Sequence, residues 1–414
     1  MDALAGPIRI LLVYDSVNGE DLTNAVALNN SGMNLTRIVG WVALLLVVLQ
    51  GVLGGVGGGS EELSLRQLRE REPSPLAEFA GPEHRRGEVV DGDALDIGPN
   101  DHQHHFTHSP DRIWTETNCY LDLWIELLHA LGFDPVPMLM GLLNADFEVD
   151  HWRFAKPSPE SLMQLYGIEV FEAPIWRDLP DHLRAYYASG RCLASVEVDA
   201  YYLPDTGSSA YRSVHTKTTI VPLWFDEDEE RVCYFHNGGL FEADGDDVRG
   251  LWDYGGFRMS GGLAPYVELI RVHDREPLTD EVIRQRVAVM ARAAVRRLPA
   301  RNPVAALAER VLADVDWLRT CEPEVFHQYA FATLRLCGSW AELVAAALRW
   351  TELAGAGERA AAALEELAVG AKSAQFTLAR AARGRTTDVA GPLAAMAAAW
   401  DIAAANLREA YGTR

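Results

Sequence analysis

Three residues of the types that carry out nucleophilic catalysis follow one another along the chain: Cys119, His215 and Asn237. Cys119 lies in the segment WTETNCYLDLWIELLHAL, whose apolar residues recur with helical spacing. The thiol is therefore predicted in the first turn or two of a buried helix. A helix N-terminus lowers the pKa of a thiol below its free value of about 8.5 and so favours the nucleophilic thiolate.

The other two residues are predicted at the ends of neighbouring strands. His215 precedes the run TKTTIV, where a rigid sheet can aim its ring at a facing helix. Asn237 closes the next strand, where its amide oxygen can accept the imidazole N–H and fix the tautomer. This order is typical of papain-like cysteine enzymes. Asn118, beside the thiol, is a candidate donor to the oxyanion of an acyl-transfer intermediate.

Each of these residues also has a purely structural interpretation. A cysteine in an apolar helix is often a small core residue, and a histidine before a strand can simply hydrogen-bond a turn. An asparagine before two glycines is a natural turn residue. The catalytic hypothesis therefore rests on the three residues together, with Cys119 as nucleophile, His215 as base and Asn237 as the residue that orients the base.

A second cluster of chemically capable residues occurs in DHQHHFTHS, which contains His102, His104, His105 and His108. Imidazoles on a loop or strand can bind zinc, and Asp101 or Asp111 can add an oxygen ligand. The spacing matches no strong metal signature, so the favoured interpretation is a solvated loop or one that flanks the active site. No metal site and no cofactor are predicted.

The elements that must position these residues indicate an α+β fold. Helical patterns cover the segment around Cys119 and, more briefly, residues 137–143 and 159–166. The period then changes, and residues 194–203, 216–226 and 231–237 are runs of β-branched and aromatic residues separated by turns, as in a largely antiparallel sheet. A papain-like domain of a leading helix and a sheet is therefore predicted at residues 95–275.

The rest of the chain is predicted to be of two other kinds. From about residue 276 to 414 it is rich in Ala, Leu, Arg and Glu with helical periodicity, which predicts a helical bundle domain. Residues 1–94 are an extension in which residues 38–56 form an uncharged apolar run of membrane-spanning length and residues 57–94 read as a polar linker. The run is interpreted as an extension, with a membrane anchor, a signal segment or a buried helix as alternatives.

Composition limits the compartment and the partners. The chain of 414 residues has 37 basic and 59 acidic residues and a net charge of −22, so a phosphate backbone is repelled and nucleic acid is not an expected partner. The five cysteines include no CxxC pair, which argues against a disulfide framework and a zinc ribbon. The sequence predicts a cytoplasmic protein, or a membrane-anchored one if the apolar run is retained.

Residues 95–275 also resemble an uncharacterised bacterial family known as a domain of unknown function. The segments that carry the resemblance are ETNCYLDLWIELLHALG, ADFEVDHWRFAKP, LYGIEV, GRCLASVEVDAYYLPDT, YRSVHTKTTI and YFHNGG. That family is in turn similar to the N-terminal domain of the butirosin biosynthesis protein H family, papain-like acyltransferases that move an aminoacyl group from a carrier-protein thioester to an amine. The shared features are the cysteine helix, a Gly-Arg-led strand with Asp199 and Tyr202, and His215 at a strand start.

The resemblance implies a biosynthetic cysteine acyltransferase that acts on an acyl or aminoacyl carrier protein and a small amine acceptor. Asp199, Tyr202, Lys217 and His236 are the candidate substrate-binding residues, and Asp199 and His236 are alternatives to Asn237 as third member of the triad. A thioester or amide hydrolase, or a non-catalytic module that binds a carrier protein or peptide, remains the alternative function. A homo-oligomer is compatible with the helical domain.

Overall fold

The computed structural model describes residues 97–253, 266–274 and 278–412, apart from residues 191, 208 and 227. The predicted apolar run at residues 38–56 and the linker at residues 57–94 lie outside the described residues. Within the described part, an antiparallel sheet with its leading helix is followed by a helical region, so the predicted α+β architecture is confirmed.

The leading helix, α1, begins at Cys119 and ends at Ala130. Asn118 is its N-cap, because the Asn118 side-chain oxygen accepts the backbone N–H groups of Tyr120 at 3.2 Å and Leu121 at 2.9 Å. Cys119 is thus the first residue of the helix.

The remaining elements of the first domain come in a mixed order. The helices are α2 Pro159–Tyr166, α3 Leu179–Ala188 and α4 Gly245–Trp252. The strands are β1 Phe147–Glu148, β2 His151–Trp152, β3 Ile168–Pro174, β4 Cys192–Asp199, β5 Lys217–Asp226, β6 Arg231–His236, β7 Gly239–Asp244 and β8 Tyr266–Val272. The helix predicted at residues 137–143 is a 3-10 helix over Val136–Leu142.

The main sheet has six strands in the order β3-β8-β4-β5-β6-β7, and every neighbouring pair is antiparallel. Side chains alternate between its two faces, so Ser195, Glu197 and Asp199 of β4 share one face. The α1 helix packs on this face, because the Tyr120 hydroxyl and the Ser195 hydroxyl both donate to Glu268 of β8, at 2.6 and 3.0 Å. We call it the α1 face.

The second region consists of helices. They are α5 Asp280–Val295, α6 Pro303–Leu318, α7 Pro323–Ala330, α8 Leu336–Trp350, α9 Ala356–Ala382 and α10 Ala390–Tyr411. A short π-helical turn, Phe331–Arg335, joins α7 to α8. Most of the buried residues of α9 and several of those of α10 are alanine, and these two helices pack against each other.

Indole groups bind the helices to the first domain. Trp340 of α8 donates its ring N–H to the carbonyl of Leu142 at 2.7 Å, and Trp114 donates to the carbonyl of Ala368 in α9 at 3.1 Å. The carboxylate of Glu342 accepts the backbone N–H of Trp114 at 2.9 Å. Through these hydrogen bonds the helices hold the segment that leads into α1.

One continuous helical stretch of the described residues, Pro323–Trp350, has the length and apolarity of a membrane span, with a mean hydropathy of 1.3. In the structure 72% of its most apolar window is buried against the rest of the protein, as in the core helix of a globular fold.

We predict that Gly338→Ala destabilises the protein although alanine is the better helix former. A Cβ at Gly338 would lie 2.6–2.7 Å from indole atoms of Trp114. Overpacking of this kind costs about 1–3 kcal/mol, against a helix-propensity gain of about 1 kcal/mol. The measurement is the free energy of unfolding in urea. Gly141→Ala is the control, because a Cβ there meets nothing closer than 3.4 Å; equal effects of the two changes would contradict the close approach.

Candidate functional site

Cys119 is partly exposed at the start of α1. Its neighbour Asn118 is buried and is used by the fold, since its side-chain nitrogen donates to the carbonyl of Ala155 at 3.0 Å while its oxygen caps the helix. One N–H of the predicted oxyanion donor is therefore engaged in positioning the helix start. The role of Asn118 toward an oxyanion stays a prediction.

His215 contacts Asp199. The ring Nδ1 lies 2.6 Å from Asp199 Oδ2, and Asp199 Oδ1 accepts the backbone N–H groups of Tyr201 and Thr216. The His215 ring also stacks on Tyr201, with centroids 4.2 Å apart and planes 12° apart. Because a carboxylate only accepts, Nδ1 carries the proton, and the neutral ring keeps a free electron pair on Nε2. The His215 side chain is 65% exposed, so Nε2 is accessible.

Asn237 is placed differently from its predicted role. It is the first residue of the two-residue turn between β6 and β7, with a left-handed φ of 47°, and Gly238 follows. Its side-chain nitrogen lies 3.5 Å from the ring of His236. Of the three alternatives for the third triad member, Asp199 is the one that the structure brings to His215.

His236 lies inside the fold, on the opposite face of the sheet from α1. Its Nε2 is 2.8 Å from the Thr218 hydroxyl, its Nδ1 is 2.5 Å from Asp205, and the same Asp205 accepts the Tyr234 hydroxyl at 2.7 Å. The ring is 2% exposed. This buried network joins β5 and β6 to the chain after β4, and it does not reach the surface that carries His215.

The two other predicted substrate-binding residues have partners within the protein. The ammonium group of Lys217 lies 2.6 Å from Glu197 on the α1 face. Tyr202 is partly buried, with the guanidinium of Arg212 over its ring and Gly250 of α4 against it. A Cβ at Gly250 would lie 2.2 Å from the Tyr202 ring, so the glycine is required for this packing.

Cys119 and His215 lie toward the same face of the sheet, yet no hydrogen bond joins them within the described chain. The hydroxyl of Tyr120, the residue after the thiol, donates to Glu268, which also accepts the Ser195 hydroxyl. Asp199 follows Ser195 along β4 at a distance of about 13 Å, at 3.3 Å per residue. The structure therefore positions a helix-terminal thiol and a histidine–carboxylate pair separately.

Sequence reasoning missed a group of residues beside Cys119. Glu268 of β8 accepts the hydroxyls of Tyr120 and Ser195, and Lys156 lies 3.5 Å from the same carboxylate with its ammonium 4.0 Å from the Tyr120 ring centroid. Burial and the bond to Glu268 raise the pKa of Tyr120 well above its usual range. The signal in the sequence is weak, because these residues come from four distant segments.

The histidine-rich loop is packed along α1 through Glu126. This carboxylate is fully buried; Oε2 lies 2.6 Å from His102 Nε2, while Oε1 accepts the backbone N–H of His105 at 3.0 Å and contacts His108 Nδ1. Of the two interpretations made from the sequence, a solvated loop is wrong, since the side chains of His102, His105 and His108 are nearly all shielded, and a loop that flanks the active site stays a prediction. His104 alone among the four stays exposed.

The buried charges shift the pKa values of this loop in opposite directions. Burial alone would lower the pKa of His108, but the nearby carboxylates of Asp122 and Glu126 outweigh it and raise the pKa to about 9. Burial would raise the pKa of Glu126, yet bonds from His102 and His108 bring it to about 2. Burial lowers the pKa of His105 to about 4. Glu126 is thus a carboxylate with imidazoles around it.

Two comparisons with known proteins bear on this arrangement. The model of the DUF1839 N-terminal domain matches residues 103–272, and the model of the DUF1839 C-terminal domain matches residues 280–409. No curated protein matches the chain. The resemblance to a family defined as a domain of unknown function is confirmed by the two matches.

We predict that Asn118→Ala destabilises the protein by about 1–2 kcal/mol, because a buried N-cap is lost and the Ala155 carbonyl loses its donor. Asn118→Ser keeps a capping oxygen and should recover much of that loss. The measurement is the unfolding midpoint in urea. Thr115→Ala changes an exposed residue and is the control; if it costs as much as Asn118→Ala, the cap assignment fails.

Proposed function

The chain belongs to the DUF1839 family, whose domains have no assigned function, and from the geometry of the site we propose that it is a cysteine-dependent acyltransferase. Cys119 is the nucleophile, His215 the general base, and Asp199 the residue that orients the base. The observation that carries the proposal is the His215–Asp199 pair, which leaves Nε2 free at the exposed end of the α1 face.

The arrangement of this pair suits a general base. Asp199 is held by two backbone N–H groups and is largely shielded, so its carboxylate has a set direction. Stacking on Tyr201 limits rotation of the His215 ring. A carboxylate on Nδ1 fixes the tautomer and stabilises the imidazolium that forms when Nε2 takes a proton.

The position of Cys119 suits the nucleophile that receives the acyl group. The first residue of a helix lies at the positive end of the helix dipole. Asn118 already accepts the backbone N–H groups of Tyr120 and Leu121, so the backbone N–H of Cys119 is the candidate donor to an oxyanion formed on the acyl carbon. The thiol and the imidazole are positioned separately in the structure, so the proposed reaction requires a conformational change that brings the two groups together.

The reaction then has two half-reactions. His215 takes the thiol proton, the sulfur of Cys119 bonds to the acyl carbon of a thioester, and the carrier thiol leaves with the proton from His215. In the second half an amine attacks the acyl-enzyme, His215 takes the amine proton, and the bond to Cys119 breaks as the sulfur regains a proton. Water in place of the amine makes the same site a hydrolase.

Glu268 supports an amine as the acceptor. Its carboxylate lies beside the start of α1, is partly exposed and already gathers two hydroxyls and the ammonium of Lys156. A neutral amine can donate an N–H group to this carboxylate in a charge-assisted hydrogen bond and keep its electron pair for the attack. By contrast, Lys217 and Arg212 are paired with Glu197 and Asp247, so binding the phosphate of a carrier-bound thioester would require breaking an ion pair.

We predict that an aminoacyl thioester of N-acetylcysteamine gives an acyl adduct on the wild-type protein and none on Cys119→Ala. His215→Ala should slow the adduct by about 100-fold or more, as for loss of a general base. Asp199→Asn should slow it less, because it removes orientation and not the proton carrier. Intact-mass spectrometry over time gives the rates.

Asn237→Gly is the matched control for Asp199→Asn. Glycine adopts the left-handed φ of this turn without strain, so the adduct should form at the wild-type rate if Asn237 is a turn residue. An adduct that persists on Cys119→Ala would overturn the nucleophile. Acyl transfer that survives Cys119→Ala but not His215→Ala would replace the covalent route with direct attack by the acceptor. If the wild type shows neither an adduct nor acyl transfer, a non-catalytic binding module is left.

A further inference from the structure

The loop before α1 brings three metal-ligand side chains together at a place that the proposed reaction does not use. A nitrogen of His102, a nitrogen of His104 and a carboxylate oxygen of Glu126 all lie within 4.8 Å of one another. We propose that these three residues bind a zinc-class divalent cation, with a fourth position open on the exposed side of His104.

The donor set suits this class of ion. Two imidazoles and one carboxylate are a known set of protein ligands for zinc sites that keep one position for water or substrate. At about 2.0–2.2 Å from the metal, tetrahedral ligand atoms lie about 3.4 Å apart, so the three side chains need only a small adjustment. His102 Nε2 and Glu126 Oε2, now 2.6 Å apart, would have to move apart by less than about 1 Å to reach that separation, and the exposed His104 can move toward them.

The tautomer of His104 is set for metal binding. Its Nδ1 lies 2.6 Å from the carbonyl oxygen of Gly238, and since a carbonyl only accepts, Nδ1 is the protonated nitrogen. The Nε2 atom of the neutral ring then has a free electron pair. Ligating histidines commonly donate their other ring N–H to a carbonyl or carboxylate in this way.

The carboxylate is supported in the same manner. Glu126 Oε1 is held by the His105 backbone N–H and by His108, while Oε2 is the oxygen that lies 2.6 Å from His102 Nε2. A cation between Oε2 and Nε2 would replace the hydrogen bond between these two atoms and leave the contacts of Oε1 intact.

The turn between β6 and β7 is shaped to admit the loop. A Cβ at Gly238 would lie 2.8 Å from the His108 ring, and a Cβ at Gly239 would lie 3.2 Å from His104. The side-chain-free backbone thus lets both imidazoles approach the hairpin. A bound cation would join the loop, α1 and this hairpin through His104, whose second nitrogen is already on the hairpin carbonyl.

The metal site is separate from the thiol. Glu126 is seven residues after Cys119, close to two helical turns or about 10.5 Å along α1. Cys119→Ala should therefore bind the cation as the wild type does. Metal binding and adduct formation can fail independently, so each result tests only its own proposal.

The test uses the full chain after chelator treatment and dialysis, titrated with Co²⁺ while its visible absorption is recorded, and with Zn²⁺ by calorimetry. We expect close to stoichiometric binding and ligand-field bands of a low-symmetry Co²⁺ site. His104→Ala should weaken binding by more than about 100-fold, beyond the 10–100-fold expected for loss of a supporting residue. Because His104 is exposed, the variant should fold.

His151→Ala is the matched control, since His151 is an exposed histidine that pairs with Asp150 at 2.8 Å in another part of the domain. It should bind both ions as the wild type does. Absence of binding to the wild type, or equal binding by His104→Ala, would overturn the site and leave Glu126 as a carboxylate that serves only to hold the histidine loop on α1.

Discussion

The arrangement of the α1 face depends on one buried carboxylate. Glu126 lies two turns into a largely apolar, buried helix, and an unpaired charge in such surroundings would cost far more than a helix contributes. The fold offsets this cost by bringing the whole histidine-rich loop down onto the helix, with His102, His108 and a backbone N–H around the two oxygens. The loop then covers Phe235, which lies 5.3 Å from the His102 ring. The need to pair the Glu126 carboxylate therefore accounts for the packing of the histidine-rich loop over β6.

The helical domain supports the same helix from the other side. The segment that leads from the loop into α1 passes Trp114, whose backbone and ring both donate to the helical domain, and Arg112, which pairs with Glu342 at 3.4 Å. The helix start is thus held by Asn118 within the first domain and by Glu342 from the second. A role of the helical domain in positioning Cys119 follows directly from these contacts, without any catalytic residue on it.

Several elements could be predicted from the sequence because their signals are local. The α2 helix has Ser158 as cap, Pro159 at its start and Gly167 in the left-handed conformation at its end, and its predicted bounds match. The strands β5 and β6 were predicted to within one residue, since both are long β-branched and aromatic runs.

The missed elements have signals that are not local. β3 is an edge strand with mostly exposed or half-exposed residues, so its apolar alternation is weak. β8 is inserted between β3 and β4, far from both in the chain, and only the folded sheet gives it neighbours. Tertiary pairing decides such strands more than local sequence does.

The candidate site shows the same division between local and distant signals. Cys119 at a helix start and His215 before a strand could be found from patterns, whereas the partner of His215 could not, because Asp199 and Asn237 each end a strand next to β5. The pairing of β4 with β5 places Asp199 opposite Lys217 and therefore beside His215, whereas Asn237 is needed in a tight turn.

Glu126 did carry a usable signal. It follows Asp122 by four residues inside a run that the apolar pattern predicts to be buried, so both carboxylates point to the same helix face and both require partners. Four histidines a short distance upstream are able to supply them. A buried charge in a predicted core helix is thus a constraint on other parts of the chain, and here it links the two clusters that the sequence presented as rivals: Cys119 begins α1, and the histidine loop packs on the same helix through Glu126.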